Sequence, residues 1–140
     1  MAAIHRILQV SAAALLAGCS VLGPDGGERL GVIQILPSSP AEVSVPQNAQ
    51  RGEAFTVTVI THGGGCLSKG PTRVRTTGAT AEVRPYDVHS GANVCPADIQ
   101  LYQHTATLRF SDPGTATVHF VGIGHPGAEV VTVTRTVAIQ

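Results

Sequence analysis

Tryptophan is absent from the chain, and with three phenylalanines and two tyrosines the aromatic share is only 4%. A core built around a large indole is therefore excluded. Charge is sparse as well: Asp, Glu, Lys and Arg make up 13% of residues, acidic and basic side chains are equal in number, and Lys and Arg nowhere form a run. That balance offers no electrostatic footprint for nucleic acid and no polybasic membrane surface. The longest apolar run, residues 7 to 17, is too short to span a bilayer. Neither the Cys-x-x-Cys spacing of redox and zinc motifs nor the His-x-His and His-x-x-x-His spacings of compact metal sites occur. Beyond residue 20 no window carries a helical period.

What the chain has instead is short alternating segments separated by turn formers. Glu53 to His62 is the clearest, with Phe55, Val57 and Val59 on one face and Thr56 and Thr58 on the other. Ile99 to Phe110 places Ala106, Leu108 and Phe110 on one face. Gly114 to Val121 does the same with Ala116, Val118 and Phe120, and Glu129 to Ile139 with Val131, Val133, Val137 and Ile139. Weaker strands are expected over Gly31 to Leu36, Ala41 to Val45, Thr72 to Thr76 and Thr80 to Pro85. The prolines at 37, 40 and 46 suit the first two of these to a sheet edge, where a missing N–H is tolerated. Tyr86 to Asp98 reads as a long irregular connection, with Tyr86-Asp87-Val88-His89 as a local hydrogen-bonded turn. Asp87, Asp98, Asp112 and Glu129 are all expected to bond turn backbone.

Seven or eight strands at spacings of roughly 8 to 12 residues point to a single antiparallel β-sandwich. The run Asp112-x-Gly114-x-Ala116-x-Val118 resembles the corner leading into strand F of immunoglobulin-like domains. It departs from them with Ala116 at the tyrosine position and Val118 at that of the second cysteine. The resemblance implies an immunoglobulin-like sandwich in architecture alone, and fold does not imply function.

Two glycine motifs invite chemistry. His62-Gly63-Gly64-Gly65 matches the His-Gly-Gly-Gly oxyanion motif of lipases and esterases, but no serine stands on a Gly-x-Ser-x-Gly elbow and the chain is too short for that fold. A strand-to-loop transition is the plainer reading. Gly122-x-Gly124-x-x-Gly127 matches a dinucleotide fingerprint, yet a strand follows where a helix is required, so it reads as a hairpin turn. In a sandwich, both loops are candidate ligand loops at one end: His62, Gly63, Gly64 and Gly65 in the first, Gly124 and His125 in the second. Among the other histidines, His89 is a further candidate ligand. Imidazole suits copper and zinc, so a metal site built from His62, His89 and His125 is the alternative to a metal-free binding loop. A small hydrolase is a further alternative for which the sequence supplies no assembled nucleophile and base.

The first twenty residues address location. Arg6 precedes an apolar run that ends in Leu16-Ala17-Gly18-Cys19, after which the composition turns abruptly to Gly, Pro and Asp. Leu16-Ala17-Gly18-Cys19 resembles the lipobox of bacterial lipoprotein precursors. The resemblance implies cleavage after Gly18, diacylation of the Cys19 thiol, commonly with palmitate, and acylation of the new amino terminus. It divides the chain into a signal peptide (1–18), a lipidated tether (19–28) and a sandwich domain (29–140). If Cys19 carries lipid, Cys66 and Cys95 remain as a pair whose disulfide an oxidising compartment favours; the alternative is two free buried thiols. Ser20 after the cysteine is similar to the pattern that sends lipoproteins to the outer membrane in enterobacteria. The expectation is therefore a membrane-anchored protein of the cell envelope. Its sandwich is non-enzymatic and free of cofactor, and it binds an envelope protein or surface ligand but not nucleic acid.

Overall fold

The computed structural model describes residues 26–140. The lipobox, Cys19 and most of the tether lie outside the described residues. Ten strands run in chain order: β1 (Gly27–Leu30), β2 (Val32–Gln34), β3 (Val43–Ser44), β4 (Asn48–Ala49), β5 (Phe55–Gly63), β6 (Leu67–Thr77), β7 (Thr80–His89), β8 (Gln100–Leu108), β9 (Gly114–Gly124) and β10 (Glu129–Ile139). Two sheets form. The smaller orders β3-β5-β8; the larger runs β1-β7-β9-β10-β4, with β6 added on β7 and β2 on β9. They pack face to face as a β-sandwich.

Alternation along the strands builds the core. Val57 and Val59 of β5, Ala106 and Leu108 of β8, Ala81 and Val83 of β7, Ala116, Val118 and Phe120 of β9, and Val137 and Ile139 of β10 are all buried, with Ile33 and Phe110 beside them. Phe55 and Phe110 approach with ring centroids 6.0 Å apart, within the range of favourable aromatic pairs. Small alanines on both sheets alternate with the larger side chains, which is how a sandwich without tryptophan fills its interior.

The sandwich is mixed rather than purely antiparallel, because β7 pairs parallel with β9, β2 parallel with β9 and β4 parallel with β10. The first of these spans only Thr80–Val83 against Thr117–Phe120. Beyond it β7 and β9 part, and the start of the domain fills the gap. β1 runs antiparallel to β7 from Gly27 opposite His89 to Leu30 opposite Tyr86, and β2 then returns beside β9. Gly31 is the point of the wedge: its N–H donates to Pro85 O at 2.9 Å, and its carbonyl accepts from Ile123 N at 2.9 Å. The expected strand from Gly31 to Leu36 is thus shortened to Val32–Gln34, and β1 precedes it in residues partly assigned to the tether.

Other boundaries move for related reasons. β3 is reduced to two residues at a sheet edge between Pro40 and Pro46, and a further two-residue edge strand, β4, forms where none was expected. β6 and β7 are far longer than their weak patterns suggest, since each gains a complete antiparallel partner in the other. β7 runs through Tyr86-Asp87-Val88-His89, so this stretch is strand and not a turn, and the irregular connection begins at Ser90. Arg73 of β6 holds the outer face here, pairing with Glu28 of β1 at 2.5 Å and lying 4.6 Å from the centroid of the Tyr86 ring.

Gly31 tolerates no side chain: a Cβ there would collide with Thr61 Cγ2 and stand 3.1 Å from Asp87 Oδ2. Gly31→Ala is expected to destabilise the domain by about 1–3 kcal/mol through overpacking, read as a lower urea midpoint with an unchanged slope.

Candidate functional site

Above the apolar core lies a polar layer made by continuing the same alternation. The inward positions of β5 run Val57, Val59, Thr61; those of β7 run Ala81, Val83, Pro85, Asp87; those of β8 run His104, Ala106, Leu108. Thr61, Asp87 and His104 therefore face one another between the sheets, and all are buried, Asp87 at 2% exposure and His104 at 0%. Asp87 Oδ1 accepts from the Thr61 hydroxyl at 3.2 Å and from His104 Nε2 at 3.2 Å. With Nε2 donating, Nδ1 of a neutral imidazole accepts from the Thr72 hydroxyl at 3.1 Å. Asp87 and Thr72 belong to the larger sheet and Thr61 and His104 to the smaller, so the network ties one layer to the other.

A chain of carboxylate, imidazole and hydroxyl is the composition of a hydrolytic triad, but the enclosure here is wrong for one. His104 has no exposed surface through which to exchange a proton with a substrate. The arrangement suits structure. Asp87 Oδ2, buried with no hydrogen-bond partner among the described residues, lies close to Gly31. Asp87 also lines a cavity of about 400 Å³ together with Leu30, Gly31, Val32, Leu67 and Ile123.

The loops singled out in the sequence gather at one end of the sandwich. The β5–β6 turn, the 90–99 connection, the β9–β10 turn and the segment after β2 all lie there, as the pairings of Gly63 with Gln100, His89 with Leu67 and Gly124 with Gln34 require. His62, Gly63 and His125 line one depression of about 260 Å³ with Val32, Ile35 and Ile99. His62 also borders a second, similar one with Ile35, Leu36, Ser39, Pro40 and Glu42. Its Nδ1 is buried and has no hydrogen-bond partner among the described residues.

The candidate glycines are closely packed against neighbouring chain. A Cβ on Gly63 would strike the Tyr102 ring, one on Gly64 the backbone of Asp98, and one on Gly65 would sit 3.2 Å from Pro96 O and 3.3 Å from Cys95 Cβ. These glycines form a close seam between two loops, which explains the motif without an oxyanion hole. Gly124 ends β9 against Val131. Cys66 and Cys95 are joined by a disulfide across that seam. Closing a loop of this length contributes roughly 3 kcal/mol on a chain-entropy account. Asp98 fixes the seam from the other side, accepting from Gly65 N at 2.6 Å and from Gln100 Nε2 at 2.7 Å. The Gln100 bond, then the Gly65 N–H, hold its carboxyl below the usual aspartate range. The stabilisation is present above the unfolded-state pKa and lost as acid protonates the folded carboxylate.

His89 does not join His62 and His125. Its Nε2 lies 4.0 Å from Cys95 Sγ and its Nδ1 accepts from Gly91 N at 3.1 Å. Among the described residues, the group of metal-capable side chains that comes together is Cys66, His89 and Cys95, and both of its thiols are committed to the disulfide.

Sequence reasoning missed Asp87 because it ended that strand at Pro85, and missed His104, which lies within the expected strand Ile99 to Phe110, because an inward position there is polar. Extending the period-two pattern of β7 past Pro85, and of β8 back from Ala106, puts both residues inside. Asp87→Ala leaves His104 Nε2 and the Thr61 hydroxyl enclosed without an acceptor and is expected to cost about 3 kcal/mol or more. Asp87→Asn, which keeps the shape and an acceptor oxygen, is expected to cost less; urea unfolding of both variants checks the order. No protein-family model, no curated protein and no solved structure matches the chain, so its function is argued from its own residues and geometry.

Proposed function

We propose that this chain is the precursor of a lipid-anchored cell-envelope protein whose β-sandwich is a non-catalytic binding or structural module. The supporting observation is the pairing of Cys66 with Cys95. It accounts for two of the three cysteines and leaves Cys19, the residue that Leu16-Ala17-Gly18-Cys19 marks for acylation. Two or three acyl chains make anchoring durable, where one alone is marginal. Ser20 favours the outer membrane if the source has two membranes. The binding face of this reading is the depression shared by His62, Gly63, Ile99 and His125. It is concave, and its walls are contributed by several separate loops, as in other small-ligand and peptide sites. The enclosure of His104 argues against the hydrolase alternative.

Cells expressing the full chain and fed a palmitate analogue are expected to label it, and Cys19→Ser is expected to abolish the label and leave the precursor uncleaved. Labelling that survives Cys19→Ser, or no labelling at all, removes the anchored reading.

A second reading keeps the anchor and makes the site a copper or zinc centre. It is favoured by the meeting of two imidazoles, His62 and His125, at one depression, with the buried Nδ1 of His62 lacking a partner among the described residues. Equilibrium dialysis of the full chain against zinc or copper(II) is then expected to give an equimolar complex that is lost in both His62→Ala and His125→Ala. Absence of bound metal, or retention in both variants, rejects this reading.

A further inference from the structure

The two ends of the sandwich differ in what they expose. At one end lie the β6–β7 turn at Gly78, the Ser111-Asp112-Pro113 turn and the Arg51-Gly52-Glu53 turn, all polar or turn-forming. The other end carries the large exposed apolar side chains: Ile35 and Leu36 after β2, Val94 and Ile99 in the cystine connection, Leu101 at the start of β8 and Val130 at the start of β10. Val94 is 88% exposed and Ile99 80%. Among the described residues, the one large exposed hydrophobic that lies elsewhere is Val74, on β6 opposite Val83. An apolar cluster on this scale marks an interaction surface more often than chance.

The position of the chain's beginning says what covers it. Gly27 starts β1 opposite His89, at this same end. Seven residues separate it from Cys19, eight backbone steps with a reach of at most about 29 Å when fully extended. The eleven-residue strand β9 is longer than that, at roughly 36 Å. A lipid on Cys19 therefore holds the apolar end near the bilayer, because the tether is too short to span the length of β9 with the domain standing on its polar end. Charge at the apolar end is mixed and partly engaged: Glu28 pairs with Arg73, and Asp98 with Gly65 N and Gln100, beside Lys69 and Glu129. Anionic headgroups have no basic field to meet, so the attraction is apolar.

We propose that this end, through Val94, Ile99, Leu101 and Leu36, docks into the lipid surface, so that the anchored domain stands on the membrane with its polar end outward. The proposal rests on the acylation of Cys19. Docking places the His62 and His125 depression at the interface, where its ligand is reached from the membrane side.

The absence of tryptophan makes the test direct. The acylated full chain is prepared as Ile99→Trp, Val94→Trp and, at the opposite end, Thr77→Trp, and reconstituted into phosphatidylcholine vesicles with brominated acyl chains. Co-flotation with the vesicles reads anchoring; quenching and blue shift of the indole read docking. The expected result is flotation of all three, with strong quenching and a blue shift at positions 99 and 94, none at 77, and no reversal in concentrated salt. Flotation without quenching at 99 and 94 overturns docking while the anchor stands. Failure to float overturns both. Equal quenching at 77 overturns the orientation, and burial of the position 99 indole in a dimer formed without vesicles assigns the surface to a second copy and overturns the proposal.

Discussion

Asp87 sits at the point where the two sheets, the wedge of β1 and β2, and the end of the domain that carries the cystine seam meet. Its Oδ1 holds Thr61 and His104 from the opposite layer, and its Oδ2 lies beneath Gly31, the residue that turns β1 into β2. Buried polar groups are costly unless bonded, and much more so when one partner is removed. The layer therefore contributes less by net attraction than by penalising any other register of β5, β7 and β8, each of which must deliver its polar residue to the same place. With that register set, the apolar positions below fall into the core on all three strands.

The same geometry gives the domain a direction. β1 fills the gap opened by the divergence of β7 and β9, so the first described strand begins at the end where the cystine seam and the histidine loops lie. That end combines a covalent staple, glycines too crowded for side chains and a fringe of exposed aliphatic residues. Rigid support beneath an apolar fringe suits a surface that must present itself without rearranging. The lipid anchor proposed for Cys19 would give such a surface a membrane to meet.

Much of the architecture was legible from period-two alternation. Phe55, Val57 and Val59 on β5, Ala106, Leu108 and Phe110 on and beyond β8, and Val137 and Ile139 on β10 face the core as their spacing indicates, and the prolines mark β3 as an edge. The pattern failed where an inward position is polar. Asp87 and His104 look like surface residues to any hydrophobicity argument, so β7 was shortened and Tyr86 to His89 was read as a turn. Of the candidate loops, His62, Gly63 and His125 come together at one depression, whereas Gly64, Gly65 and His89 are taken up by the cystine seam.

By itself the sequence determined the all-β character, the single core, the identity of most inward residues and the likeness of residues 16–19 to a lipobox, because each depends on local spacing and composition. Only the tertiary structure decided the mixed pairing, the break at Gly31, the pairing of Cys66 with Cys95, the Asp87–His104 layer and the gathering of apolar side chains at one end. These depend on which strands become neighbours across long stretches of chain. A strand carries its own alternation, but it carries no record of the partner that will satisfy its polar groups.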